Sequence, residues 1–489
     1  MVDNAIQRKE GFEMSKMIKY SDAVYFRALS DSLLSGTITN ETGIESIDEK
    51  IKSIRKGSGG YWSLPKGESE FVKILELLRH LLQENVDLEI ISQICSDIAL
   101  REKYASLKCR VVFFAQEMFV WPCVERLYHA AVSDARFDAK VVYVPFFHQN
   151  ATCEDTNLQA YLRMGIPVIN YADYDLSEDN PEIAVFVKPY NNIPLQFCIR
   201  EVEKIVRRTI YVPYGLEMTK DLIHYAFQEY THYRVWRHLA YGGIVKELGA
   251  QHGYRNGENI AVWGHPRIDN YRDEYCYPIP PQWQKKIAGR KVILWCPHHT
   301  IKPGSECVST WLDYYQDIFR LFEERKDMVL LWRPHPLLFG AIVNNGYMTK
   351  EKLDAFVAKK SGCDNIILDQ TDDYRAAFAV SDGIITDGTT FSLEYLLTDK
   401  PLMLTAHKLD QFFNCAELEK AVYWAKSARD IEEFLEHMAA GHDPRKKARN
   451  AFKNKTFFIP QDQSVSEYIL NRILIDLTEE EKNRVNGGN

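Results

Sequence analysis

Short apolar runs separated by amphipathic stretches constrain the fold of this chain more than any other feature. From Cys109 onward, "CRVVFFA", "AKVVYVPFF", "GIPVINY", "IAVFVKPY" and "RTIYVPYG" each have the length and the β-branched or aromatic content of a strand buried on both faces. Helix-like segments such as "PCVERLYHAAVSD" and "TNLQAYLRMG" lie between several of them. Such alternation predicts a parallel sheet wrapped by helices. The texture restarts after "YCYPIPPQWQKKIAGR", a Pro-rich stretch at 275–290 that reads as a linker, with "KVILWCPHHT", "DMVLLWRPHP", "NIILDQ", "DGIITDG" and "KPLMLT". A chain of 489 residues exceeds one ordinary core. The expected class is therefore α/β, with two Rossmann-like doubly wound domains, 106–275 and 276–465, facing a cleft. Residues 1–105 carry helical periodicity in "EFVKILELLRHLLQENVDLEIISQICSDIALREKYASL" and read as a helical N-terminal extension. Residues 466–489 read as a helical tail.

Composition narrows the function classes. Sixty basic against 68 acidic residues leave a formal charge of −8, which does not suit a bulk nucleic-acid binder. Ten cysteines without CxxC pairs suit reduced thiols in a cytoplasmic protein rather than a disulfide framework or zinc site. The first twenty residues are too charged for a signal peptide, and no run reaches the ~18 apolar residues of a membrane span. Any membrane role is expected to be peripheral, from the cytoplasmic face.

In open parallel sheets the loops at the carboxyl ends of the strands line the ligand crevice. The polar groups of this sequence fall at those ends. "DGIITDGTTFSLEYLL" puts Asp387, Gly388, Thr389 and Thr390 between a strand and a helix, where free backbone N–H groups suit an anion. Thr389 or Thr390 could equally cap its own helix. "LLWRPHPLLFG" offers Arg333 and His335 to a diphosphate or a leaving phosphate. "LWCPHHT" repeats the order of strand, proline and histidine with His298 and His299. Adjacent histidines can bind metal, but no third ligand stands nearby in sequence, and no metal site is assigned. "VWGHPRIDNY" offers His265 and Arg267 to the cleft, or an Arg–Asp pair fixing a turn, and "IYVPYGLEMTK" offers Tyr214 and Gly215. Glu117, His148 and His224 are candidate general bases. "DPRKKARNAFKNKTFF", residues 443–458, carries six cations that could meet an anionic membrane or simply form a solvated helix face.

Taken together and in order, "WGHPRIDNY", "KVILWCPHHT", "WRPHP" and "DDYRAAFAVSDGIITDGTTFSLEYLLTDKP" resemble the CDP-glycerol glycerophosphotransferases, the teichoic-acid primases and polymerases. The resemblance covers about residues 108–420 and is strongest after 260. It implies a GT-B fold whose C-terminal domain holds a CDP-alcohol, CDP-glycerol or CDP-ribitol, and whose N-terminal domain presents a glycan or lipid-linked acceptor. It also implies no required cofactor and loss of CMP in the synthesis of a bacterial surface polymer. Carried over by position, His335 contacts the donor diphosphate, and Asp387, Thr389 and Thr390 the phosphates or glycerol. Ser381 and Asp382 lie earlier in the same block, and Lys400 adds positive character. The family's catalytic His-Gly pair is replaced here by Tyr214-Gly215, so His298 and Glu117 become candidates for the base. His298-His299 likewise replaces the family's more usual Thr-Trp. A GT-B glycosyltransferase using a nucleotide sugar is the alternative reading, because fold does not dictate chemistry.

Overall fold

The computed structural model describes residues 19–55, 66–100, 107–147, 157–216, 219–220, 223–272, 276–302, 308–407 and 412–486. The expected strands form, and they sort into two wholly parallel sheets. The first takes β1 (Cys109–Ala115), β2 (Phe137–Tyr143), β3 (Val168–Asn170), β4 (Ile183–Phe186), β5 (Arg208–Tyr211), β6 (Arg237–Leu239) and β7 (Ile260–Ala261). Their order is β3-β2-β1-β4-β5-β6-β7. The second takes β8 (Lys291–Cys296), β9 (Met328–Trp332), β10 (Ile366–Leu368), β11 (Gly383–Thr386), β12 (Leu402–Leu404) and β13 (Tyr423–Trp424), in the order β10-β9-β8-β11-β12-β13. Each order reverses direction once, between β1 and β4 and between β8 and β11. Those reversals are the switch points at which such sheets open a crevice.

The central strands are buried on both faces, which explains their unbroken apolar runs. One continuous core joins a face of the first sheet to a face of the second, so the domains share apolar packing. The remaining faces are closed separately, the second by a stack of Trp295, Trp311 and Trp332 with centroids 5.0–6.2 Å apart. The stretch read as a linker is partly structural: Pro281–Ile287 is helical, with Trp283 buried in the shared core. An apolar side chain among prolines can anchor a connection that composition marks as loose.

The N-terminal extension comprises α1 (Tyr20–Leu34), α2 (Asn40–Arg55), α3 (Lys66–Gln83) and α4 (Leu88–Leu100), with a core of its own. The C-terminal helix α7 (Val465–Val485) is not a free tail. Its Val485 enters the core of the extension, and its first turn is capped from the first domain by Asp269, which accepts from Val465 N, Ser466 N and Ser466 Oγ at 2.6–2.9 Å. Among the described residues, no helix is long and apolar enough to cross a membrane. In the cationic segment, α6 (Lys446–Thr456) buries Arg449 and leaves Lys446, Lys447 and Lys455 exposed. Arg449 is buried against Asp443, Lys453 and Lys455 pair with Asp399 and Glu417, and Arg445 donates to the Glu419 carbonyl. Phe452 and Phe457 are core residues. Four of its six cations have partners in the fold, and Lys446 and Lys447 are exposed.

Candidate functional site

The register of the second sheet assembles the site. Trp295 of β8 pairs with Trp332 of β9, and three residues beyond each lies a histidine, His298 and His335. Equal offsets past a paired position bring the two rings together, with centroids 5.1 Å apart. His299 joins them, stacked on His335 at 4.1 Å and 4.4 Å from His298. The loops are tied by the His335 amide donating to Pro297 O at 3.0 Å. Both sequences read Leu-Trp-X-Pro-His, so this convergence is visible in the sequence once the strands are known to be neighbours. No third ligand stands near the pair in sequence; the register of the sheet brings His335 to it.

Asp387, at the end of β11, reaches across the switch point. Its buried carboxylate accepts from His298 N at 2.7 Å and from Thr310 N and Oγ1 at 2.6 and 3.1 Å. It braces the histidine loop from behind instead of facing a ligand. Burial raises its pKa to about 6 against the hydrogen bonds that lower it. Gly388 is the N-cap of α5 (Thr389–Tyr395) and provides no side-chain cap; its amide bonds Thr386 Oγ1 at 3.1 Å.

The three histidines are uncharged at neutral pH. Burial, reinforced by the neighbouring rings, pushes His298 and His335 down to about 3, and burial also lowers His299. His335 is thus a neutral imidazole at neutral pH. Its Nδ1 accepts from Leu337 N at 3.2 Å, while His298 Nδ1 lies 2.9 Å from Thr300 Oγ1. His299 Nδ1 is buried with no hydrogen-bond partner.

Arg333, expected at the diphosphate, turns to β10 and its following loop, bonding Asp369 Oδ2 at 2.6 Å and the Thr371 carbonyl at 2.8 Å. Ser381, Asp382 and Lys400 are not brought to this site. Ser381 is buried against Tyr395, Asp382 receives Val292 N and pairs with Lys291, and Lys400 donates to the carbonyls of Phe378 and Ala379. They sit before β11 and β12, so a strand's length separates them from the carboxyl-end loops. Nearness in sequence to the Asp387 turn hides that they belong to the opposite edge.

The first sheet builds a second polar group at its own switch point. Glu117 follows β1 and Lys188 follows β4, and Lys188 Nζ donates to Glu117 Oε1 at 2.5 Å in a buried pair. Phe146 lies 4.0 Å beneath the ammonium, and desolvation lowers the lysine pKa. The Tyr214 hydroxyl meets that of Tyr190 at 2.9 Å. Tyr214 and Gly215 line a cavity of about 40 Å³ with Tyr190, Tyr225 and His238. Sequence reasoning misses Lys188 and Tyr190 because they follow an apolar run without a break. His148 lies outside the described residues, and His224 packs its ring on Tyr225.

His265 and Arg267 hold the domains together. His265 is fully buried, with Nε2 2.7 Å from Pro213 O and its pKa lowered to about 3 by burial. Arg267 pairs with Glu394 of α5 at 3.0 Å and donates to Tyr214 O, and Tyr271 and Tyr374 also donate to Glu394. The expected Arg–Asp pair is instead an Arg–Glu pair across the domains, because Asp269 is committed to capping α7.

Among solved structures, a putative UDP-N-acetylglucosamine 2-epimerase from Listeria monocytogenes is 13% identical, covers 76% of this chain and 97% of its own, and superposes with a TM-score of 0.53. At that identity the likeness is one of fold, the two-domain GT-B arrangement. The UDP-GlcNAc 2-epimerase from Neisseria meningitidis bound to UDP-GlcNAc is 12% identical over 75% of this chain and 100% of its own, at a TM-score of 0.49. The wall teichoic acid polymerase TagF, as a single-residue variant soaked with CDPG, is 15% identical over 76% and 90%, at 0.48. No curated relative matches the chain. Residues 248–475, which contain β8 to β13 and the histidine, Asp387 and Arg267 positions, match the model described as CDP-Glycerol:Poly(glycerophosphate) glycerophosphotransferase. Over this C-terminal segment the chain is similar to the CDP-glycerol:poly(glycerophosphate) glycerophosphotransferase family.

Proposed function

We propose that this protein transfers glycerol phosphate or ribitol phosphate from a CDP-alcohol to a hydroxyl of a glycan or lipid-linked acceptor and releases CMP. The observation that carries the reading is the coincidence of the matched segment, residues 248–475, with the cleft loops that gather His298, His299 and His335. The acceptor oxygen attacks the β-phosphorus, the bond from that phosphorus to the oxygen left on CMP breaks, and the hydroxyl proton passes to a base. Such transfers depend mainly on positioning and on neutralising phosphoryl oxygens. The loops carrying the imidazoles would receive the diphosphate, and Asp387 would keep the His298 loop in place. On the acceptor side, Glu117, held by Lys188, is the carboxylate at the first sheet's switch point and takes the role that Tyr214 cannot inherit from a histidine. The reaction as proposed needs no cofactor for its own stoichiometry.

The test is nucleotide release from purified protein offered CDP-glycerol, CDP-ribitol, UDP-sugars and GDP-sugars with a glycolipid extract as acceptor. CMP released only from a CDP-alcohol is the expected result. Release of UDP or GDP instead would transfer the protein to the nucleotide-sugar glycosyltransferases, a reading favoured only by the fold it shares with nucleotide-sugar enzymes.

A further inference from the structure

Among the described residues, the two cations expected at a diphosphate are engaged elsewhere. Arg333 is committed to Asp369 and Thr371, and Lys400 to carbonyls at the far edge of the sheet. What the loops do offer is three imidazoles, from which one ring nitrogen each lies within 4.8 Å of the other two. Among the described residues this is the one group of histidine, cysteine or carboxylate side chains gathered closely enough to hold an ion.

We infer that His298, His299 and His335 form a binding site for a zinc-class divalent cation, whose remaining coordination positions accept phosphoryl oxygens of the donor. The inference rests on the phosphotransfer reading only for what fills those open positions.

Three features of the cluster support it. The site draws on two adjacent strand ends, whose backbones are fixed by the sheet and by the His335-to-Pro297 hydrogen bond. His299 Nδ1 is buried without a hydrogen-bond partner, an arrangement that a metal would relieve. The Thr300 amide and hydroxyl, 3.4 and 2.9 Å from His298 Nδ1, occupy that nitrogen and leave Nε2 as the ring's free one.

The donor set then selects the ion. Three neutral nitrogens with no carboxylate suit zinc and its neighbours over magnesium or calcium, which prefer oxygen. Three protein ligands and an open position are the pattern of catalytic rather than structural zinc. A cation so held keeps its full double charge for polarising a phosphoryl oxygen.

Binding asks for modest adjustment. Metal–nitrogen bonds of about 2.0–2.1 Å put ligand nitrogens roughly 3.0–3.4 Å apart, so the rings must close by about an ångström. His335 gives up its contact with the Leu337 amide, which holds the ring proton on Nε2. Leu337 is exposed, so water can take over that amide.

The experiment titrates chelator-stripped full-length protein with Zn2+ against a chromophoric competitor, and with Co2+ read by its visible absorption, without donor. The expected result is about one equivalent bound, weakened about tenfold or more in both His299→Ala and His335→Ala, with far-UV circular dichroism unchanged. Less than about one equivalent in the unaltered protein, or equal affinity in folded variants, overturns the site. Because no donor is present, such a failure leaves the phosphotransfer reading standing. Metal-loaded protein that binds one equivalent but releases no CMP from any CDP-alcohol would count against that reading and leave the site intact.

Discussion

His335 is the residue on which the proposed donor site most depends, since it stacks on His299, meets His298 and sits on a loop flanked by Pro334 and Pro336. Its ring is not part of any apolar core cluster, so His335→Ala should leave the fold intact while CMP release falls by about 10²–10³, the usual loss when one transition-state donor is removed. Unchanged turnover in a folded variant would remove it from the mechanism. Asp387 works differently, because its carboxylate holds the His298 and Thr310 amides from inside the protein. Asp387→Ala leaves buried donors without an acceptor, at about 1–3 kcal/mol each, so it should lower both the unfolding midpoint in urea and the activity. An Asp387→Ala variant with wild-type stability and lost activity would instead make the carboxylate a direct ligand contact. Residue type and strand position make His298, His335 and Asp387 legible in the sequence. They do not reveal which way a side chain turns: Arg333 and Asp387 face inward because the end of β10 places Asp369, and the N-cap of the helix Trp311–Glu324 places the Thr310 amide, behind them, contacts 36 and 77 positions away.

At the scale of elements, the strands are legible because a two-sided buried strand must be apolar throughout, and β8 to β12 all fall within quoted runs. β6 and β13, of three and two residues, are too short to carry a pattern. The edge at which Ser381, Asp382 and Lys400 lie follows from strand direction and not from their proximity to Thr389. The hinge segment after β7 shows how one residue can set the path of an element. Gly264 has φ +83°, and an added Cβ would stand 2.7 Å from Val465 Cγ1 and 3.0 Å from Phe458 O. Both the backbone angle and the space exclude a side chain there, and Val465 is the first residue of α7. Gly264→Ala should destabilise the protein by about 1–3 kcal/mol in urea unfolding, with loss of the α7 docking. A change of less than about 0.5 kcal/mol would mean that α7 moves to accommodate the methyl group.

Over the whole molecule, α7 ties the N-terminal helices to the first domain through ion pairs buried at their junction. Glu481 bonds Lys50 of α2 at 2.6 Å and Arg208 of β5 at 2.9 Å, and Asp22 of α1 bonds Arg207 at 2.7 Å. Burial alone would raise the Glu481 pKa, but Lys50 and Arg208 hold it well below the usual carboxylate range; Arg207 and Lys50 likewise lower Asp22 against burial. With folded values below unfolded ones, the unfolded chain binds more protons in the interval between them, so stability falls as pH falls. The contribution is complete above the unfolded values, about 3.9 for Asp and 4.3 for Glu, and is lost progressively as acid approaches the depressed folded values. The thermal midpoint should therefore stay level through these two groups down to about pH 5 and decline below it. Glu481→Gln removes one of the two titrations and leaves Lys50 and Arg208 with a weaker partner. It should cost about 3–5 kcal/mol at neutral pH and shallow the acid decline. A parallel acid limb in that variant would show that the decline comes from carboxylates elsewhere, and the junction would then be held by its apolar contacts, Val485 against the helical core, rather than by charge.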